Sequence, residues 1–399
     1  RPGPGIHRNV VALGLTSLFT DVSSEMLVPI LPLFVTVTLG ASVASLGVIE
    51  GIAECTASVL RLASGWFSDR TGRRKPFLVF GYGLSGLAKT AIGLAGSWSL
   101  VLACRFSDRV GKAFRSPPRD ALITDSVSAE QRGRAFGLHR ALDTVGAAIG
   151  PLLAWWLLAH WGGIGGEAYR RVFLVSAIPA ALAMVALAVF VREVPPVARP
   201  RTSSGGAVAI ASPAFRRFMV VDGVFQLGNS SMAFALLRAQ HVGWSAGAVA
   251  LVYFGYNVVY AALATPLGAW SDRIGRRPLL MLAYLLYTVS YAVFAWWPAR
   301  AGAVVAFAVL AVHSALIEGQ ARSLVADMAP AEARARAFGV HATVVGLALL
   351  PASVVAGALW DHVSTAAPFV LGAALSACAA VLMLVLLPPD GRAEADARA

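Results

Sequence analysis

The sequence predicts an all-α membrane protein: twelve transmembrane helices in two pseudo-symmetric six-helix bundles, with both termini in the cytoplasm. Three observations predict it. Hydrophobic residues make up 57% of the chain and charged residues only 14%, with a mean hydropathy of +0.69, which does not describe a surface facing water. The polar residues gather in short clusters between apolar runs, and crossing a bilayer takes about 20 such residues. The third observation is internal repetition at a nearly constant offset.

On the length criterion, spans are expected near residues 10–37, 44–66, 77–96, 98–117, 134–160 and 170–191, then again near 214–239, 246–268, 279–297, 302–326, 335–360 and 366–387. The intervening stretch REVPPVARPRTSSGGAVAIASP is rich in Pro, Gly, Ser and Arg, as a linker between two bundles should be. The expected organisation is therefore an N-terminal bundle over 1–191, a cytoplasmic linker over 192–213, a C-terminal bundle over 214–387 and a tail over 388–399. No signal-peptide pattern precedes the first apolar run, so the first helix is expected to direct insertion.

A net charge of +12 raises nucleic-acid binding as a reading, and the positions of the basic residues decide against it. Clusters such as Arg70/Arg73/Arg74/Lys75, Arg115/Arg119/Arg132/Arg134, Arg273/Arg276/Arg277 and Arg322/Arg334/Arg336 fall on alternate loops, and the connections between them are short and nearly uncharged. The positive-inside rule then places the basic loops and both termini in the cytoplasm of a cell whose inner (plasma) membrane holds the chain. Cys55, Cys104 and Cys378 lie singly in apolar runs without metal or redox spacing. No P-loop, paired metal-ligand motif or nucleophile elbow occurs, which disfavours ATP use and enzymatic catalysis. No cofactor or metal is expected.

The repeat is carried by two stretches. GWFSDRTGRR begins at Gly65 and GAWSDRIGRR at Gly268, 203 residues later; RGRAFGLH at Arg132 recurs as RARAFGVH at Arg334, 202 residues later. Duplication of a six-helix unit explains both, and a duplicated bundle suits two halves that rock about a midplane site.

The GxxSDRxGRR loop and its copy resemble the signature loop of the major facilitator superfamily, over essentially the whole chain. The segment from Gly146 through Gly150 to Pro151 resembles the GxxxGP motif of its proton-coupled antiporters, with Ala154 and Trp155 where a glycine pair usually follows. DVSSEM at Asp21 and GKAFRSPPRDALITDS at Gly111 resemble a broad prokaryotic subfamily. What the resemblance implies is gating by the loop: Asp69 holding the cytoplasmic side shut against the start of the eleventh helix, Gly65 and Gly72 allowing tight turns and close approach, and Arg70 and Arg73 enforcing topology. Gly268, Asp272 and Arg273 form the copy.

Ionisable residues inside spans cost about 3 kcal/mol each on insertion scales and so face a cavity or a partner. Asp21 and Glu25 are four apart on the first helix, with Asp21 roughly 16 Å in. Glu50, Glu54 and Arg61 share a face of the second helix, Arg105, Arg109 and Lys112 a face of the fourth, and His139 and Asp143 are four apart on the fifth. Nearly all of this charge falls in the first half. Burial of an unpaired carboxylate favours its protonated form and pairing favours the ionised form, an alternation that a proton-coupled cycle can use. Asp21 or Glu54 is the expected proton carrier and Arg105 or Arg109 its switching partner, with Glu25 and Asp143 in the same set; a static salt-bridge network is the competing reading. The second half offers Gln226 and Asn229, the helix face formed by Tyr253, Tyr256, Asn257 and Tyr260, and His313 and Glu318 for a substrate cavity.

The expectation is a monomeric secondary transporter, powered by a proton gradient, that exports a small amphipathic or cationic organic compound by alternating access. Transport of another solute class, a metal cation or an anionic metabolite, stands beside it. A non-transporting receptor or scaffold is the reading of another kind.

Overall fold

The computed structural model describes residues 7–128, 131–161, 165–194, 212–329 and 334–387. The helices are α1 (Arg8–Glu25), α2 (Val43–Thr71), α3 (Lys75–Ile92), α4 (Trp98–Ser126), α5 (Arg132–His160), α6 (Gly166–Phe190), α7 (Pro213–His241), α8 (Ala246–Ile274), α9 (Arg276–Trp296), α10 (Arg300–Met328), α11 (Arg334–His362) and α12 (Ala367–Leu386). Nine of these are long and apolar enough to cross a membrane among the described residues. The other three are α1, α3 and α4. The last carries Arg105, Asp108, Arg109, Lys112, Arg115, Arg119, Asp120 and Asp125, and it runs on through Pro117 and Pro118 to Ser126 rather than stopping near residue 117.

Local chemistry sets the ends. Ser42 and Ser97 accept from the amides of Ser45 and Leu100 at the starts of α2 and α4 (3.1 and 3.4 Å). Pro76, Pro213 and Pro368 lie in first turns, where a missing N–H costs nothing. The start of α3 is capped from a distance: the Glu193 carboxylate accepts from the amides of Arg74 and Lys75, both at 2.8 Å. Glu193→Ala is expected to cost about 1 kcal/mol, read as a lower thermal unfolding midpoint in detergent.

Three helices expected to be continuous are interrupted. α1 stops at Glu25 and the chain turns through Met26–Ile30 before a helical turn at Leu31–Leu33 and a π turn at Phe34–Thr38. α7 breaks after Gly228, 203 residues beyond Glu25, and resumes at Met232. The Tyr287 hydroxyl donates to the carbonyl freed at Gly228 (3.1 Å). α6 is interrupted at Ser176.

The duplication is visible beyond the sequence motifs. The left-handed turn glycines Gly40 and Gly243, and Gly72 and Gly275, are each 203 apart and have φ between +63° and +96°. Lys75 donates to the carbonyls of Ala188 and Val191 at the end of α6 (3.0 and 2.8 Å), and Arg277, 202 residues on, donates to those of Met383 and Leu384 at the end of α12 (3.2 and 3.4 Å). Each cation meets carbonyls at the C-terminal end of a helix, where the dipole favours positive charge. Likewise Arg74 lies 4.0 Å from Asp125, and Arg276 lies 2.5 Å from Asp327.

The chain forms two compact units, residues 1–199 with Trp244–Phe254, and residues 200–243 with 255–399. The start of α8 is thus part of the first unit; residues 195–211 of the expected linker and the 388–399 tail lie outside the described residues. Within the first unit α1 packs on α5 and α6, and α3 on α4 and α6; within the second α7 packs on α11 and α12, and α9 on α10 and α12. The outward face of α6 shows Ile178, Leu182, Val185 and Val189, all exposed and one or two turns apart. Such an apolar stripe suits lipid.

Candidate functional site

Charge concentrates where α1, α2, α3 and α4 of the first unit meet. Glu50 and Glu54 are one turn apart on α2, Arg105 and Arg109 one turn apart on α4, and the four form a ladder of two rungs. Glu50 Oε1 lies 2.8 Å from Arg105 Nη2 and 3.2 Å from its Nε, and Oε2 lies 3.0 Å from Nη2. Glu54 meets Arg109 Nη2 at 2.8 Å. The rungs differ in access: the Glu50 side chain is 6% exposed and that of Glu54 38%.

Hydroxyls extend the ladder. Arg105 also reaches Asp108 at 3.6 Å, which accepts from Ser85 Oγ at 2.5 Å. One turn along α3, the buried Lys89 donates to Ser24 Oγ of α1 at 2.7 Å. A continuous set of polar contacts thus runs from Glu50 on α2 through α4 to α3, and Lys89 brings α1 beside it.

Asp21 and Glu25 sit on α1 where α5 comes closest. A methyl group placed on Gly146 would stand 3.1 Å from the Asp21 Cβ, and one on Gly150 would stand 2.7 Å from the Glu25 Cβ and 2.9 Å from the Val22 carbonyl. The physical function of this glycine pair is therefore to let α5 lie against α1 beside the two acids, followed by Pro151 inside α5. Glu25 accepts from the Tyr253 hydroxyl at 2.7 Å, within the first unit. Asp21 has no cation within ion-pair distance among the described residues. Further along α5, His139 Nε2 lies 3.0 Å from Ser17 Oγ and its Nδ1 3.5 Å from Asp143. Ser17 is 3.3 Å from the Tyr82 hydroxyl, and Arg119 reaches it at 3.4 Å. The Arg109 Nε and the Asp143 Oδ1 are buried with no hydrogen-bond partner among the described residues, leaving polar capacity in the site.

The signature loops are only partly placed. Gly72 ends α2 in the left-handed conformation, and Arg70, Arg73 and Arg273 are exposed. Gly268 has open space where a side chain would go, so close helix approach does not explain it. Gly65, Asp69 and Asp272 have side-chain surroundings outside the described residues, as does Glu318.

The residues expected to line a substrate cavity in the second half are for the most part turned to internal use. Asn229 donates to Gln226 (2.9 Å), and Gln226, itself buried, donates to Asp222 (3.4 Å). The expected face of α8 divides. Asn257 is buried, 8% exposed. Tyr253 serves Glu25, whereas Tyr256 and Tyr260 are half-buried and Tyr256 donates to Ser314 of α10 (2.9 Å). His313 is 3% exposed, with Nδ1 2.7 Å from the Ala283 carbonyl and its ring against Phe225 and Tyr287. Sequence reasoning missed Asp222, which is wholly buried and contradicts the expectation of a second half almost without intramembrane charge. It also missed Ser85 and Ser24, whose hydroxyls gave no signal of their own.

The Major Facilitator Superfamily model matches residues 13–227 and 223–399. An MFS-type transporter of Methanocaldococcus jannaschii is 32% identical over 387 residues, covering 96% of this chain and 95% of the relative. The multidrug resistance protein MdtH of Aeromonas hydrophila subsp. hydrophila is 26% identical over 354 residues, 88% of this chain and 87% of that protein. Among solved structures, a D-xylose-proton symporter superposes with a TM-score of 0.77 at 16% identity, over 96% of this chain and 98% of that one, a likeness of fold alone. Duplicated bundles, a duplicated basic loop and full-length similarity agree: this chain is a multi-pass membrane protein that belongs to the major facilitator superfamily.

Proposed function

We propose that this chain is a proton-coupled exporter of small amphipathic or cationic organic compounds, working by alternating access with twelve spans and both termini in the cytoplasm. The observation that carries this reading is the acidic surface of α1. Arg105 and Arg109 are each taken up by a carboxylate of α2, whereas Asp21 has no cation within ion-pair distance among the described residues and is open to a proton or a cationic substrate. Glu54, the more exposed acid of the ladder, is the second carrier, and Arg109 is its switching partner. Similarity to MdtH, whose name records multidrug resistance, supports export of organic compounds.

Proton release from purified protein in weakly buffered detergent tests the coupling. Tetraphenylphosphonium added to the wild type should displace protons in a saturable way, and Asp21→Asn should lose most of that release. An equal release from both proteins would exclude Asp21 as the carrier.

A further inference from the structure

The second unit contains a buried acid that the reading above does not use. Asp222 of α7 is wholly buried. Its Oδ2 lies 3.0 Å from His341 Nε2 of α11, and its Oδ1 accepts from the Tyr284 hydroxyl of α9 (3.2 Å) and from Gln226 (3.4 Å). The imidazole stacks on Phe218 at 6.2 Å with the rings 18° apart, which fixes the face it turns to the carboxylate. From the other elements packed on α7, α10 brings His313, held on the Ala283 carbonyl, and α12 brings Ser376, held on the Tyr284 carbonyl. No Lys or Arg lies within ion-pair distance of Asp222 among the described residues.

This cluster has a counterpart in the first unit, and the difference between the two is informative. His341 and Tyr284 lie 202 residues after His139 and Tyr82, so the same pair of rings recurs on the same pair of helices. In the first unit the polar group between the rings is a neutral hydroxyl, Ser17, with Asp143 on the far side of the imidazole and Arg119 alongside. Positions 202 residues after Arg119 and Asp143 are Ala321 and Val345, both apolar. The second unit has thus placed a carboxylate at the centre and stripped away the surrounding charge.

We propose that Asp222 and His341 form a proton-binding site in the second unit, with Tyr284 and Gln226 as its supporting donors. A buried carboxylate without a cation is strongly disfavoured. One bound proton removes the imbalance in either of two ways, as an imidazolium beside a carboxylate or as a neutral imidazole beside a carboxylic acid, and both forms are neutral overall. When the proton leaves, the Tyr284 and Gln226 donors still bond the carboxylate, so the empty state is reachable. The bound species is a proton shared across one 3.0 Å contact. The site shares no residue with the α1 and α2 acids of the first unit, and it requires no substrate.

Infrared difference spectra of the full chain in lipid nanodiscs, recorded between two buffered pH values, test it without transport. An Asp222 difference band, a carboxylic-acid stretch where the acid holds the proton and a shifted carboxylate stretch where the imidazole holds it, should appear in the wild type, vanish in Asp222→Asn, and move in His341→Gln and in Tyr284→Phe. Should Asp222→Asn fail to fold, protein labelled with carbon-13 aspartate carries the same comparison through the other two variants. No aspartate band in either region in the wild type, or bands that both substitutions leave in place, would overturn the proposal. That result would not touch the export reading, which stands or falls on Asp21 and Glu54.

Discussion

Glu50→Ala is expected to destabilise the first unit by about 3–5 kcal/mol, because it strands the Arg105 guanidinium inside the bundle. Arg105 makes three close contacts to Glu50, both side chains are nearly buried, and its remaining acid, Asp108, is farther away at 3.6 Å and engaged by Ser85. The loss should register as a fall in the thermal unfolding midpoint of detergent-purified protein. Replacing both partners, Glu50→Leu with Arg105→Met, should recover most of it, since no uncompensated charge is left behind. Glu54→Gln should behave differently. Its side chain is 38% exposed, so water can solvate part of what the Arg109 contact supplies, and the effect should fall on coupling more than on folding. The two rungs are built alike and are expected to do different things, the buried one holding α2 to α4 and the more exposed one opening and closing.

Gly150→Ala should cost about 1–3 kcal/mol and abolish transport. The added methyl would meet the Glu25 Cβ at 2.7 Å, the Met26 amide nitrogen at 2.9 Å and the Val22 carbonyl at 2.9 Å. Two of those three are backbone atoms, which cannot rotate away, so α5 must move off α1 and disturb the acids. Gly137→Ala on the same helix is the control. Nothing lies within 4 Å of its added methyl, and replacing a helical glycine there should stabilise by about 0.5–1 kcal/mol. Opposite signs from two Gly→Ala changes in one helix, measured by thermal unfolding, would identify close approach as the reason for Gly150.

Much of the architecture was legible because hydropathy and repetition are averages over many residues. Nine apolar helices and the repeated basic loop follow from such sums. What the sequence concealed depends on single contacts. The break after Glu25 contains Pro29, which has no N–H to give the Glu25 carbonyl, whereas the break after Gly228 has no proline and is stabilised by a tertiary partner, Tyr287. Glu193 read as part of a linker, yet it caps a helix more than a hundred residues away in sequence. His313 and Asn257 carried the residue types of a site and turned out to be buried, because a polar side chain on a spanning helix turns inward whether or not a cavity is there. The ion ladder was partly readable, since four-residue spacing on α2 and α4 put the acids on one face and the bases on another, but spacing alone did not say which acid meets which base. Asp222 was overlooked for an opposite reason: a lone acid in an apolar run carries no pattern, and only the position of His341 across from it reveals its partner.

The acids of the first unit are expected to couple proton movement to export. The most direct measurement uses purified protein in proteoliposomes with an imposed pH gradient and tetraphenylphosphonium as the reporter cation. The wild type should move the cation against protons in a saturable manner that collapses with the gradient, while folded Asp21→Asn and Glu54→Gln should carry it at the rate of empty liposomes. Movement by both variants that follows the gradient as the wild type does would contradict the account.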